Sequence, residues 1–172
     1  GLIIIPAVAV IVTIGLVFIF QAEQKKQNAV STPLSDAATF GGNTAKTGNR
    51  IVHEKVTAVN GVITLNAADY SDGKAAYFTT KAGGKTVDFF VLESSDGVIR
   101  AAFDACDVCY QAKKGYRQSG DLMICNNCGQ RFPSELINVE KGGCNPSPLD
   151  RHHENGVITI ALEDITSGAK YF

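Results

Sequence analysis

Ala75–Cys109 reads AAYFTTKAGGKTVDFFVLESSDGVIRAAFDACDVC. Three short apolar runs, Ala75–Thr80, Thr86–Leu92 and Val98–Phe103, are separated by two clusters of turn residues, Lys81-Ala82-Gly83-Gly84-Lys85 and Ser94-Ser95-Asp96-Gly97. Runs this short, rich in aromatic and β-branched residues and bounded by Gly, Ser and Asp, are strand signals. The third run passes without a break into Cys106-Asp107-Val108-Cys109. A succession of strands that delivers a cysteine pair fixes both the fold class and the place to look for chemistry.

The pattern continues on both sides. Upstream, Ile51–Val59 and Val62–Asn66 flank Asn60-Gly61, a strong short-hairpin signal. Downstream, Tyr116–Arg117 and Leu122–Ile124 are joined through Ser119-Gly120-Asp121, and Gly156–Leu162 supplies a late strand before a short helical turn at Glu163–Ser167. Turns recur about every 8–12 residues, with no long amphipathic helix and no fixed-period repeat. Residues 51–172 are therefore expected to be mainly β, an antiparallel sandwich or barrel-like body with a cysteine-rich insertion.

All five cysteines lie between Cys106 and Cys144, and an odd number cannot pair completely within the chain. Cys106, Cys109, Cys125 and Cys128 form the pattern C-x2-C-x15-C-x2-C, a strong metal-site signal. Two residues between thiolates allow a tight turn that points both sulfurs at one centre. Gly129 lets the backbone turn after the second pair. Cys144 sits in Gly142-Gly143-Cys144-Asn145-Pro146, a loop suited to close backbone approach, and is expected near the other four as a fifth ligand, a replacement for one of them or a redox partner. Neither pair is followed by His, which argues against covalent c-type haem. By spacing alone, a structural zinc, an iron–sulfur cluster, a copper centre and disulfides all remain open.

The N-terminal segment is of another kind. From Gly1 to Phe20, 16 of 20 residues are hydrophobic, and no ionisable side chain precedes Glu23. At about 1.5 Å per residue, Leu2–Ala22 is just long enough to cross a bilayer core of about 30 Å. A cleaved signal would have a shorter core and a small-residue cleavage site, whereas Phe18-Ile19-Phe20 runs straight into Gln21. The reading is a retained hydrophobic helix over residues 1–29, packed in membrane lipid or against like subunits. A spacer over 30–50, marked by Pro33 and Gly41-Gly42-Asn43, follows it. Lys25 and Lys26 taken alone favour a cytoplasmic body, and a basic leader ahead of Gly1 would reverse that orientation. An apolar helix at the very start, with no initiator Met, is also the layout of a processed pilin-like filament subunit, although Ile5 stands where such subunits usually carry glutamate.

The runs AAFDACDVC (101–109), KKGY (113–116), CNNCG (125–129) and GGCNPSPL (142–149) together resemble the FtrD-like membrane iron–sulfur family. DFFVLESSDGVIRAAF (88–103) and the closing AKYF (169–172) are similar to that family as well, so the resemblance runs from about Lys55 to Phe172. It implies a membrane protein with an extracytoplasmic metal domain that serves iron uptake by passing electrons or metal near a permease or redox partner. It also implies that Cys106, Cys109, Cys125, Cys128 and Cys144 hold an iron–sulfur cluster, with copper or zinc as alternatives. Family members often carry several membrane helices, whereas this chain has one such run, which favours a tethered domain.

Other residues are weighed against plainer roles. His152 and His153 could add imidazole ligands but read better as a solvated pair before a strand. His53 reads as structural, and Met123 as core despite its softness toward Cu(I). Asp104 and Asp107, which bracket Cys106, are expected to cap its turn by accepting backbone hydrogen bonds. Tyr110 and Tyr116 are expected to shield the site from water. Sixteen basic and 17 acidic residues, with no arginine-rich patch, give no pull toward nucleic acid. No G-x-S-x-G, P-loop, dinucleotide fingerprint or H-E-x-x-H occurs, so no hydrolase or nucleotide enzyme is indicated.

Overall fold

A computed structural model describes residues 51–172. The expected helix over 1–29 and spacer over 30–50 lie outside the described residues. Among those described, no helix is long and apolar enough to cross a membrane.

The body is mainly β, as its turn spacing requires. Ten strands follow in order: β1 (Glu54–Lys55), β2 (Val62–Asn66), β3 (Ala76–Ala82), β4 (Lys85–Glu93), β5 (Ile99–Phe103), β6 (Tyr116–Ser119), β7 (Leu122–Cys125), β8 (Arg131–Pro133), β9 (His152–Glu154) and β10 (Val157–Ala161). One short helix, α1 (Leu162–Ser167), succeeds β10. The strands group into a four-stranded sheet ordered β1-β3-β4-β5 and two three-stranded sheets, β2-β10-β9 and β6-β7-β8.

Two turns show how the sequence sets register. Asn60 and Gly61 both take positive φ, 51° and 79°, and Val59 and Val62 pair across them. This is the two-residue hairpin that Asn-Gly favours. Between β3 and β4 the connection is tighter than the five residues expected. Lys81 and Lys85 belong to the strands, and only Gly83 and Gly84, at φ 56° and 75°, make the turn. The expected strand over 51–59 is also shorter. Within it only Glu54–Lys55 joins the four-stranded sheet, parallel to β3, because the chain then leaves that sheet to start β2 in another.

β4 is the axis of the body. Successive strand residues face opposite sides, and here both sides are covered: Phe89, Phe90, Val91 and Leu92 are all fully buried. Val87, Phe89 and Val91 pack with Ile63, Phe103, Ile158, Ile160 and Ile165, which joins the central sheet to β2, β10 and α1. Phe90 and Leu92 pack on the opposite side with Ala102, Tyr116, Met123, Phe132 and two cysteines, Cys106 and Cys125. A run buried on both faces reads as continuously apolar rather than alternating, which is the character of DFFVL. Cys106 and Cys125 thus sit on one of the two cores, against the buried centre of β4.

Candidate metal centre

Each cysteine reaches the centre by its own route. β5 ends at Phe103, and Cys106 and Cys109 follow on a turn closed by the Cys109 amide donating to Cys106 Sγ at 3.2 Å. β6 and β7 form the expected ribbon, with Tyr116 opposite Cys125. Past Cys125, the Gly129 amide donates to the Cys125 carbonyl at 2.9 Å while Gly129 takes φ 76°, so this second turn needs its glycine.

Cys144 returns by a different device. Ser147–Leu149 runs beside the free edge of β5: the Phe103 amide donates to Ser147 O (2.8 Å), the Ser147 amide to Ala105 O (2.9 Å) and the Leu149 amide to Ala101 O (3.2 Å). This lays the Cys144 loop over the first cysteine pair. The Tyr116 hydroxyl then donates to the Cys144 carbonyl at 2.7 Å. Cys109 Sγ and Cys144 Sγ come to 3.7 Å, so the fifth cysteine does join the others.

The sulfurs form two overlapping triads, Cys106–Cys109–Cys125 and Cys109–Cys128–Cys144, and within each triad they lie no more than 4.8 Å apart. Cys106 and Cys125 are buried, Cys109 and Cys144 half-buried, and Cys128 exposed. Crowding and burial act on their protons. Burial pushes the Cys125 thiol up to about 11, and burial together with Cys128 and Cys109 pushes Cys144 well above the usual thiol range. The Gln130 amide holds Cys128 below it. Cys125 and Cys144 are thus held as thiols whose protons an arriving metal ion must displace, the usual coupling of thiolate ligation to proton release.

Around the sulfurs is a shell that the cysteine spacing does not disclose. Asp104 accepts from the Tyr116 amide at 2.6 Å and meets His53 Nε2 at 3.0 Å. It is a buried carboxylate tying the N-terminal end of the body to the cysteine ribbon. Burial pulls the His53 pKa down, but the hydrogen bond and charge of Asp104, with Asp88 beyond it, outweigh burial and leave it raised. Asn126 accepts from Arg117 and donates to Lys114 O at 2.9 Å, while Asn127 donates to Cys109 Sγ at 3.4 Å. The Asn-Asn pair inside the second C-x2-C is the signal that could have found these two. Nothing local marks His53, whose partner lies 51 residues away.

The expected minor roles divide. Asp104 accepts a backbone amide, as expected, but Asp107 instead accepts from the Tyr171 hydroxyl at 2.6 Å, because the C-terminal turn folds over it. Tyr116 is buried beside the sulfurs, and Tyr110 is half-buried, edge-on to Tyr171. Met123 is fully buried in the apolar cluster. His152 and His153 are exposed on β9, where His152 pairs with Glu154 at 3.3 Å. Among the described residues, the groups close enough to share an ion contain cysteines only. Beside the buried triad lies a cavity of about 270 Å³ whose walls include His53, Asp88, Asp104, Lys113 and Lys114.

Residues 70–172, well over half the chain, match the family described as membrane iron-sulfur containing protein FtrD-like. The chain belongs to the FtrD-like family. The match takes in all five cysteines and every strand from β3 onward, so the FtrD-like part of the body contains the whole sulfur cluster. No curated protein matches the chain. Among solved structures, the quaternary ammonium Rieske monooxygenase CntA is similar in complex with an inhibitor (15% identity, TM-score 0.37) and with L-carnitine (16% identity, TM-score 0.36). The first covers 60% of this chain and 32% of the enzyme, the second 59% and 32%, so this chain spans about a third of their length. Every ligand candidate is a thiolate, a soft donor that iron–sulfur clusters and copper both take, and the two C-x2-C pairs supply four of the five.

Proposed function

We propose that this FtrD-like protein is a membrane-tethered thiolate metal centre that passes electrons or metal ions outside the cytoplasmic membrane in support of iron uptake. The observation that carries the reading is the convergence of five cysteine sulfurs, from three separate segments, onto one partly exposed patch. Cys106, Cys109, Cys125 and Cys128 hold the metal, and Cys144 closes the set. A bound iron–sulfur cluster would supply one-electron transfer. The chain's own residues fix the sulfurs: Asp104 and Tyr116 hold the ribbon and the Cys144 loop, and the apolar cluster behind Cys106 and Cys125 keeps water from the inner side. Exposed Cys128 gives the centre a face toward a partner, for which a permease or redox protein of an iron-uptake system is the fitting class. Residues 1–29 serve as the tether, in lipid or against like subunits.

The test is anaerobic purification of the whole chain in detergent, with iron, sulfide, copper and zinc measured and visible and EPR spectra recorded before and after reduction. Stoichiometric metal with a reversible one-electron signal is expected, and Cys106→Ser or Cys125→Ser should lose most of it, since a hydroxyl is a poor substitute for a thiolate. Unchanged metal content in both variants would overturn the reading.

A further inference from the structure

We propose that the five thiolates form a two-ion site for monovalent copper, with Cys109 bridging an inner ion held by Cys106 and Cys125 to an outer ion held by Cys128 and Cys144. This rests on the reading that these thiolates bind metal, and adds a nuclearity, a bridge and a metal class.

The first argument is the count. A single tetrahedral ion takes four thiolates and leaves a fifth idle. Five thiolates of which one is shared give three donors to each of two ions, and the two triads divide in just this way, with Cys109 in both. The second argument is spacing. With a metal–sulfur bond of about 2.3 Å, two sulfurs on one ion lie about 3.8 Å apart in tetrahedral geometry and about 4.0 Å apart in flat three-coordinate geometry. Cys109 Sγ and Cys144 Sγ stand at 3.7 Å, and each triad stays within 4.8 Å. The pair is far from the roughly 2.05 Å of a disulfide. In a cuboidal cluster each thiolate caps a different iron, and the core of the cluster stands between the sulfurs.

The donor type selects the metal class. No imidazole or carboxylate joins either triad among the described residues. Three soft sulfur donors with no harder ligand suit Cu(I), whereas divalent zinc would need a fourth donor at each position. Loading releases the five thiol protons to solvent and leaves the assembly at three negative charges; Lys113 and Lys114 line the cavity beside the inner triad, where they offset them. The gradient of exposure gives the two positions different roles. The outer ion is reachable through exposed Cys128, whereas the inner ion borders the cavity lined by Cys106, Cys109 and Cys125.

The full chain in detergent, reduced and metal-free, would be titrated anaerobically with Cu(I) against a Cu(I)-specific chelator. Bound copper would be counted after gel filtration, and a parallel sample offered ferrous iron and sulfide. Two copper ions per chain are expected for the wild type, and one each for Cys128→Ser and Cys144→Ser. Cys128 is exposed and Cys144 half-buried, and circular dichroism of each metal-free variant checks that it folds. Cys109→Ser should hold no more than one ion. A wild-type chain that takes a single copper ion, one that takes iron and sulfide but no copper, or a Cys128→Ser variant that still holds two, would overturn the two-ion site and leave the metal-binding reading standing. A chain that binds neither copper nor iron would overturn both.

Discussion

Gly115→Ala should be far more damaging than a surface turn substitution has reason to be. Gly115 sits at φ 60°, and a Cβ built on it would lie 2.6 Å from Asp104 Cγ and Oδ1 and closer still to Oδ2. The left-handed backbone alone costs a side chain about 1 kcal/mol. The carboxylate cannot stay where it is, so the bond from the Tyr116 amide is lost and the contact with His53 disturbed. A hydrogen bond to a charged group contributes about 1.5–3 kcal/mol, and here a buried amide is left without its acceptor. The combined loss is about 2.5–4 kcal/mol. Gly120 is the control: its φ is 59°, but nothing lies within 4 Å of its Cβ position, so Gly120→Ala should cost about 1 kcal/mol. Urea unfolding of the reduced, metal-free chain, followed by circular dichroism, measures both. In the background of Asp104→Ala, Gly115→Ala should add no more than Gly120→Ala does. Equal destabilisation by the two alanines in the wild-type background would refute the role assigned to Asp104.

Tyr116→Phe should keep the fold at a cost of about 1 kcal/mol, the usual contribution of one hydrogen bond. It should also speed alkylation of Cys144 in metal-free protein, because the hydroxyl no longer holds the Cys144 carbonyl; an unchanged alkylation rate would count against that restraint. His53 gives a pH dependence. Its folded pKa is raised, so the stability it contributes is fully present below the unfolded value of about 6.5 and is lost as pH rises through the folded value. The stability difference between wild type and His53→Gln should therefore be largest below about pH 6 and shrink above neutrality. A difference that grows with pH would contradict the pairing with Asp104.

What the sequence discloses about this body is what is local in the chain. The Asn60-Gly61 turn, the β3–β4 and β4–β5 hairpins, the β6–β7 ribbon and the paired cysteines are all signalled by residues a few positions apart, and each stands where the pattern puts it. Cys144 could be placed near the others from its glycine approach, but not the means. The free edge of β5 that receives Ser147–Leu149 has no sequence mark, since any extended segment can donate to it. The same holds for Glu54–Lys55 against β3 and for the buried Arg100, which reaches Ile137 O at 2.9 Å and anchors the segment between β8 and the Cys144 loop. Long-range partners are chosen by shape and by leftover hydrogen-bonding groups, which a reading of neighbours does not register.

The double-sided burial of β4 has a consequence for how this chain can change length. Because Phe89 and Val91 serve one core and Phe90 and Leu92 the other, a one-residue slip of β4, as when a residue gained or lost at Gly83-Gly84 is not absorbed in the turn, would exchange the two sets. It would turn toward Cys106 and Cys125 the side chains shaped for the opposite sheet. Insertions and deletions are thus disfavoured at that hairpin, where Gly83 packs against Thr166 and Ala169, in a way they are not at Gly120, whose surroundings are open. Variation in length should collect at such open turns, while the spacing through β3 and β4 stays fixed to the residue.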